Sequence, residues 1–144
     1  MLFRSPLPPG LQTLSIRAEN SVKNRSNIFT MNFLVLPAEC TGKTFSKVIV
    51  GTAQNDVLLG TSGADLILGL EGNDEIRSRG SADCLLGGDG NDIIYGNRGG
   101  YIIVGGGGAD TLLGGRGNDK LDGGDGFDTC KGGARTNTKK NCEA

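Results

Sequence analysis

A nine-residue unit, repeated nine times without losing phase, limits what this chain can fold into. From Gly51 the sequence divides into GTAQNDVLL, GTSGADLIL, GLEGNDEIR, SRGSADCLL, GGDGNDIIY, GNRGGYIIV, GGGGADTLL, GGRGNDKLD and GGDGFDTCK, ending at Lys131 with no insertion or deletion. Position 1 is glycine except at Ser78, position 4 except at Gln54 and Ser81. Position 6 is aspartate except at Tyr101, and position 8 is Leu or Ile except at Cys130. Glycine-rich disorder has no need of phase. A fixed short period carrying three residue types at fixed positions is the mark of stacked repeats.

Each position has a physical reason. Glycine at positions 1 and 4 permits φ > 0, so six residues wrap into a tight turn, and it leaves backbone carbonyls open to a bound ion. Aspartate at position 6 adds a charged oxygen. Positions 7–9 form a short strand whose alternate side chains point to opposite faces. Stacked copies then share one interior ladder of Leu58, Ile67, Ile76, Leu85, Ile94, Ile103, Leu112 and Leu121. That ladder is too thin to offset the entropy of ordering the repeats, and rows of carboxylates repel one another.

The charge distribution points to what relieves this. Residues 51–131 hold eleven Asp and two Glu against six Lys and Arg, net −7, while residues 1–50 are net +4 and residues 132–144 net +2. Concentrated acid argues for a cation and against nucleic acid. The chain has no histidine, which removes imidazole bases and zinc-ligand histidines. Ca²⁺ suits a mixture of carboxylates and carbonyls in irregular geometry, whereas Mg²⁺ demands a stricter octahedron.

GGDGNDIIY and its neighbours resemble the RTX, or hemolysin-type, calcium-binding nonapeptide G-G-x-G-x-D-x-U-x. The resemblance covers residues 51–131. It implies an all-β fold, a right-handed parallel β-roll with two nonapeptides per coil, and several Ca²⁺ ions held between turns by position-6 aspartates and loop carbonyls. The layout is similar to the small secreted calcium-binding proteins of the same superfamily, with Cys40 before the repeats and a GFDTC…NCE tail over Gly126–Glu143.

Two repeats per coil divide the aspartates into two rows. The odd row stacks Asp56, Asp74, Asp92, Asp110 and Asp128 without a break. The even row stacks Asp65, Asp83, Tyr101 and Asp119, so only the Asp65/Asp83 pair is complete. The expectation is asymmetric loading, tighter on the odd side. On the outer face of the even sheet Leu66, Leu68, Cys84, Leu86, Ile102 and Val104 form an apolar patch. Such patches are usually covered, here by residues 28–36 or by a protein partner or second copy docked on Leu66, Leu68, Leu86, Ile102 and Val104.

Four cysteines allow three pairings. The expected set is Cys40 with Cys84, in the patch, and Cys130 with Cys142, closing the last turn. An even cysteine count in a loop-rich, calcium-requiring chain points to a secreted, extracellular protein. Residues 28–36 (IFTMNFLVL) make a poor export signal, since the run starts late and is broken by Thr30 and Asn32. No run of eighteen apolar residues offers a membrane span.

The expected organisation is an N-terminal extension over 1–39, poorly ordered, a leader, or partly covering the roll. A calcium-binding roll follows over 40–131, then a disulfide-closed cap over 132–144. No catalytic motif survives inspection. Gly42-Lys43-Thr44 lacks the leading glycine of a P-loop, which would stand where Pro37 does, and Ser62 has no histidine to activate it. The expected function is non-enzymatic: calcium binding with calcium-dependent folding of a secreted structural or adhesive module. The alternative is the C-terminal repeat fragment of a larger RTX enzyme or toxin.

Overall fold

The computed structural model describes the backbone of residues 10–19 and 25–143 and the side chains of residues 36–143. The chain divides into two compact units, Met1–Thr41 and Gly42–Ala144.

In the first unit, β1 (Gly10–Glu19) pairs antiparallel with β2 (Arg25–Val35), with Gly10 opposite Val35 and Arg17 opposite Ile28. The register shifts between Arg17 and Glu19. The N-terminal extension thus contains a hairpin. Its second strand is rich in the β-branched and aromatic residues that favour extended backbone. The side chains of residues 28–35, expected across the even sheet, lie outside the described residues.

The second unit is a parallel β-roll of two facing sheets. The odd sheet holds β4 (Val57–Leu59), β6 (Glu75–Arg77), β8 (Ile93–Tyr95), β10 (Thr111–Leu113) and β12 (Thr129–Lys131), stacked in chain order. The even sheet holds β3 (Lys47–Val50), β5 (Asp65–Glu71), β7 (Cys84–Asp89), β9 (Ile102–Gly107), β11 (Lys120–Asp125) and β13 (Thr138–Lys140). Every pairing is parallel and joins residues one coil apart, as in Ile67 with Leu85 and Leu85 with Ile103. A residue and its ladder partner are therefore two nonapeptides apart along the chain.

The roll is longer than the nine in-phase copies. GKTFSKVIV (42–50) supplies β3, which pairs with β5. GGARTNTKK (132–140) supplies β13, which pairs with β11. Much of the expected cap is thus a further half-coil. Both flanking copies lack the position-6 aspartate, with Lys47 and Asn137 there instead, and so escape a search keyed to it.

The interior is the expected ladder. Ile67, Ile76, Leu85, Ile94, Ile103 and Leu112 have no exposed surface, Leu121 is buried, and Leu58 packs against them half-buried at the first turn. Cys130 extends the odd column and is disulfide-bonded to Cys142, Cα to Cα 5.7 Å. In the next even copy the ladder position is Lys139, whose Nζ turns to donate to the Cys130 carbonyl at 2.6 Å. The apolar column ends there. Cys40 and Cys84 are each disulfide-bonded as well, and no described cysteine is free.

On the outer face of the even sheet most of the apolar patch is withdrawn from solvent. Leu66, Leu68, Leu86 and Ile102 are buried, 5–7% exposed, and Val104 is half-buried. Among the described residues the exposed large apolar side chains are Val48 and Val50, on β3 at the end of the same sheet, and Val57, Leu59, Ile93 and Phe127. On the odd sheet Arg77 pairs with Glu75 and stacks its guanidinium over the Tyr95 ring, 4.9 Å from the centroid.

Candidate metal centre

Stacking places each position-6 aspartate directly over the next of its row. The backbone N–H of Asp56 donates to Oδ1 of Asp74 at 2.8 Å, and the same bond joins Asp74 to Asp92, Asp92 to Asp110 and Asp110 to Asp128. In the even row Asp65 donates to Asp83, Tyr101 to Asp119 at 3.0 Å, and Asp119 to Oδ1 of Asn137 at 2.8 Å. Asn137 is a surrogate that the aspartate pattern missed. So is Glu143, whose Oε2 accepts from the Asp128 N–H at 2.7 Å and ends the odd row. One carboxylate oxygen of each interior aspartate is thus committed to the backbone of the preceding coil.

The other oxygen distinguishes the sites. Oδ2 of Asp74, Asp92, Asp110, Asp119 and Asp128 is buried with no hydrogen-bond partner. Each points at the position-1 glycine of its own repeat, where the position-1 carbonyl of the next coil also arrives. A Cβ added at Gly87 would collide with Asp92 Oδ2 and the Gly105 carbonyl. Added at Gly105, it would collide with Asp110 Oδ2 and the Gly123 carbonyl. Position 1 is therefore glycine because the space is filled with oxygens, and not for φ > 0 as the sequence suggested. Positive φ falls at position 4, as in Gly90 (137°) and Gly108 (126°), and at position 2 in Gly88 (119°) and Gly106 (126°).

Three aspartates carry no such orphan. Asp56 Oδ2 accepts from the Thr52 N–H at 2.6 Å and its hydroxyl at 2.9 Å, and Asp65 Oδ2 accepts likewise from Thr61. Asp83 Oδ2 accepts from the hydroxyl of Ser78, the one residue that replaces a position-1 glycine. Tyr101 fills the neighbouring space itself. Its ring lies where a Cβ of Gly96 would be, and its hydroxyl donates to the Arg98 carbonyl at 2.5 Å. The even-side oxygens left open therefore belong to Asp119, and not to the Asp65/Asp83 pair that looked complete in the sequence.

Burial without a partner shifts these acids. Asp110 is pushed up to about 7 and Asp92 to about 6, mainly by burial, with the N–H from the preceding coil opposing and the neighbouring carboxylates adding to the rise. Asp74, Asp83 and Asp119 are also raised, again mainly by burial.

The donors at each open position are carboxylate and carbonyl oxygens. No cluster of three or more His, Cys, Asp or Glu side chains occurs among the described residues, so backbone oxygens must supply part of any ligand set. Hard oxygen donors of both kinds, with orphaned buried charge, fit Ca²⁺ and do not fit a thiolate- or imidazole-seeking metal. No described helix is long and apolar enough to cross a membrane.

The comparisons agree with this chemistry. No curated protein matches the chain. A family model described as the RTX calcium-binding nonapeptide repeat (4 copies) matches residues 48–76, 72–101 and 102–134. The repeat it describes is a structural calcium-binding unit and not a catalytic one. With more than half the chain matched, a roll of 18-residue coils and oxygen-lined turns, this protein belongs to the RTX calcium-binding nonapeptide repeat family.

Proposed function

We propose that the chain is an exported module that Ca²⁺ folds, with the ions held by Asp74, Asp92, Asp110 and Asp128 on the odd side and by Asp119 on the even side. The observation that carries this is the set of five buried carboxylate oxygens without a partner. Each such oxygen costs the metal-free fold several kcal/mol on the scale of about 2–7 for a buried unsatisfied polar group. A cation that contacts them only in the folded roll makes its binding free energy a folding free energy. Millimolar extracellular calcium suits such sites, and four disulfide-bonded cysteines support an oxidising location. Within that reading Cys40 pairs with Cys84.

The test is far-UV circular dichroism of the oxidised protein, titrated with Ca²⁺ from a chelated start, with Mg²⁺ in parallel. A cooperative gain of β signal with Ca²⁺ alone is the expected result. A spectrum unchanged between chelator and saturating Ca²⁺ rejects ion-driven folding.

The Ser78–Asp83 contact gives a second prediction. Ser78→Gly restores the repeat's glycine but orphans Asp83 Oδ2. At low Ca²⁺ it should cost about 1–3 kcal/mol, read as a higher calcium midpoint for folding, and saturating Ca²⁺ should recover most of the loss. An unchanged calcium midpoint would show that the hydroxyl does not stand in for an ion.

A further inference from the structure

The two rows of turns carry opposite charge at the same repeat position. Position 3 of the odd turns includes Glu71, Asp89 and Asp125, while the even turns carry Arg98 and Arg116. These two arginines sit in register on adjacent coils, and Arg116 is in register with Ala134 on the next, beside Arg135. Neighbouring coils lie about 4.8 Å apart, so three guanidinium groups crowd one edge of the roll. All three are exposed, and none makes an ion pair among the described residues.

They border a depression of about 500 Å³, together with Gly99, Gly100 and Gly117. Glycines on its floor let a ligand approach the backbone closely. Arg135 adds a separate signal. It occupies position 4, glycine in seven of the nine core repeats, and holds φ at +92°. A non-glycine residue there costs on the order of 1–3 kcal/mol, as it does at Ser81, the other non-glycine position 4 with positive φ.

We infer that this arginine-lined depression is a binding site for a tetrahedral oxyanion, sulfate or phosphate, free or as an ester. Three like charges held together without a carboxylate repel one another, and a doubly charged oxyanion removes that repulsion. Guanidinium presents a planar fork that bonds two oxygens at once, whereas an ammonium acts as a point charge. The open aspartate oxygens are buried, whereas the three arginines are exposed.

The experiment uses calcium-saturated protein titrated with sodium sulfate, with sodium chloride at matched ionic strength as control. The readout is the amide NMR shifts of Gly99, Gly100 and Gly117. Saturable shifts at these glycines are expected, with affinity about tenfold weaker in Arg116→Ala and only partly restored in Arg116→Lys. Arg135→Gly removes the strained backbone position, so it should raise stability while weakening sulfate binding. Arg77→Ala, on the odd sheet, should leave the titration unchanged. Dextran sulfate binding more tightly per sulfate than the free ion assigns the ligand to a sulfated polymer, and equal binding assigns it to the free oxyanion; both support the site. The proposal is overturned by shifts that never saturate or merely follow ionic strength. Sulfate affinity unchanged in both Arg116→Ala and Arg135→Gly overturns it too. So does arginine-dependent self-association without sulfate shifts, which would make a second copy the occupant.

Discussion

Adding one methyl group at Gly105 should cost the calcium-loaded protein on the order of 3 kcal/mol, measured by urea denaturation at saturating Ca²⁺. The new Cβ would meet Asp110 Oδ2 and the Gly123 carbonyl, both fixed by the coils above and below. Neither can move away easily, because the Asp110 carboxylate is surrounded by the stack and the carbonyl is backbone. The same collision intrudes on the space between the oxygens, so the calcium midpoint for folding should rise together with the loss of stability. Gly80→Ala is the matched control. A Cβ there finds its nearest neighbour at 4.0 Å, the Arg98 carbonyl, and φ is not positive. That change should fall within about 0.5 kcal/mol of the parent. Equal effects of the two alanines would mean that the position-1 glycines are interchangeable with any small residue, and that the oxygens do not converge as described.

The second large effect is a reversal of pH dependence by calcium. In the metal-free roll, Asp92 and Asp110 hold their protons up to about 6 and about 7, against a value of 3.8 for a free carboxyl. The folded state therefore binds more protons than the unfolded one across this window. Their contribution is fully present below about pH 4 and is lost as pH rises through 6 and 7. The chelated protein should be more folded at pH 5 than at pH 8. With Ca²⁺ the sign turns. The ion needs carboxylates without protons, so the calcium midpoint should fall as pH rises from 5 to 8, and binding should release protons. Circular dichroism at both pH values, with and without chelator, checks both limbs. Stability of the chelated protein that increases steadily from pH 4 to pH 7 would contradict the burial of these two carboxyls.

Both predictions turn on features that differ in how far the sequence revealed them. Ile67, Leu85 and Ile103 were legible as one interior column because an aliphatic residue recurs at position 8 while its neighbours vary. A period of nine with a single fixed apolar position has few ways to bury it. The two rows of aspartates followed once two repeats were assigned to a coil, and that step came from family resemblance. The flanking half-coils at 42–50 and 132–140 were obscured because backbone pairing, not aspartate, makes them part of the stack. Lys47 and Asn137 occupy the diagnostic position without preventing the ladder.

The state of each carboxylate was less legible still. Asp56 and Asp65 look identical to Asp74 in the motif, yet their second oxygen is taken by a threonine four residues earlier, where later repeats carry leucine, arginine, asparagine or glycine. Asp83 looks like half of a complete pair, yet the Ser78 hydroxyl occupies the space of a missing glycine hydrogen. Asp119 looks isolated beside Tyr101, yet Asn137 stacks on it and leaves its second oxygen open.

What the sequence by itself determined is the repeat, its phase, the interior column and the acid that demands a cation. These are properties of periodicity, and a strict period survives any local exception. Only the tertiary structure decided which oxygens stay unpartnered, why position 1 must be glycine and that Leu66, Leu68, Leu86 and Ile102 are buried. Each of those depends on atoms that the turn and the stack bring together, some four or five residues apart and others a full coil apart, and the repeat motif does not record which group arrives there.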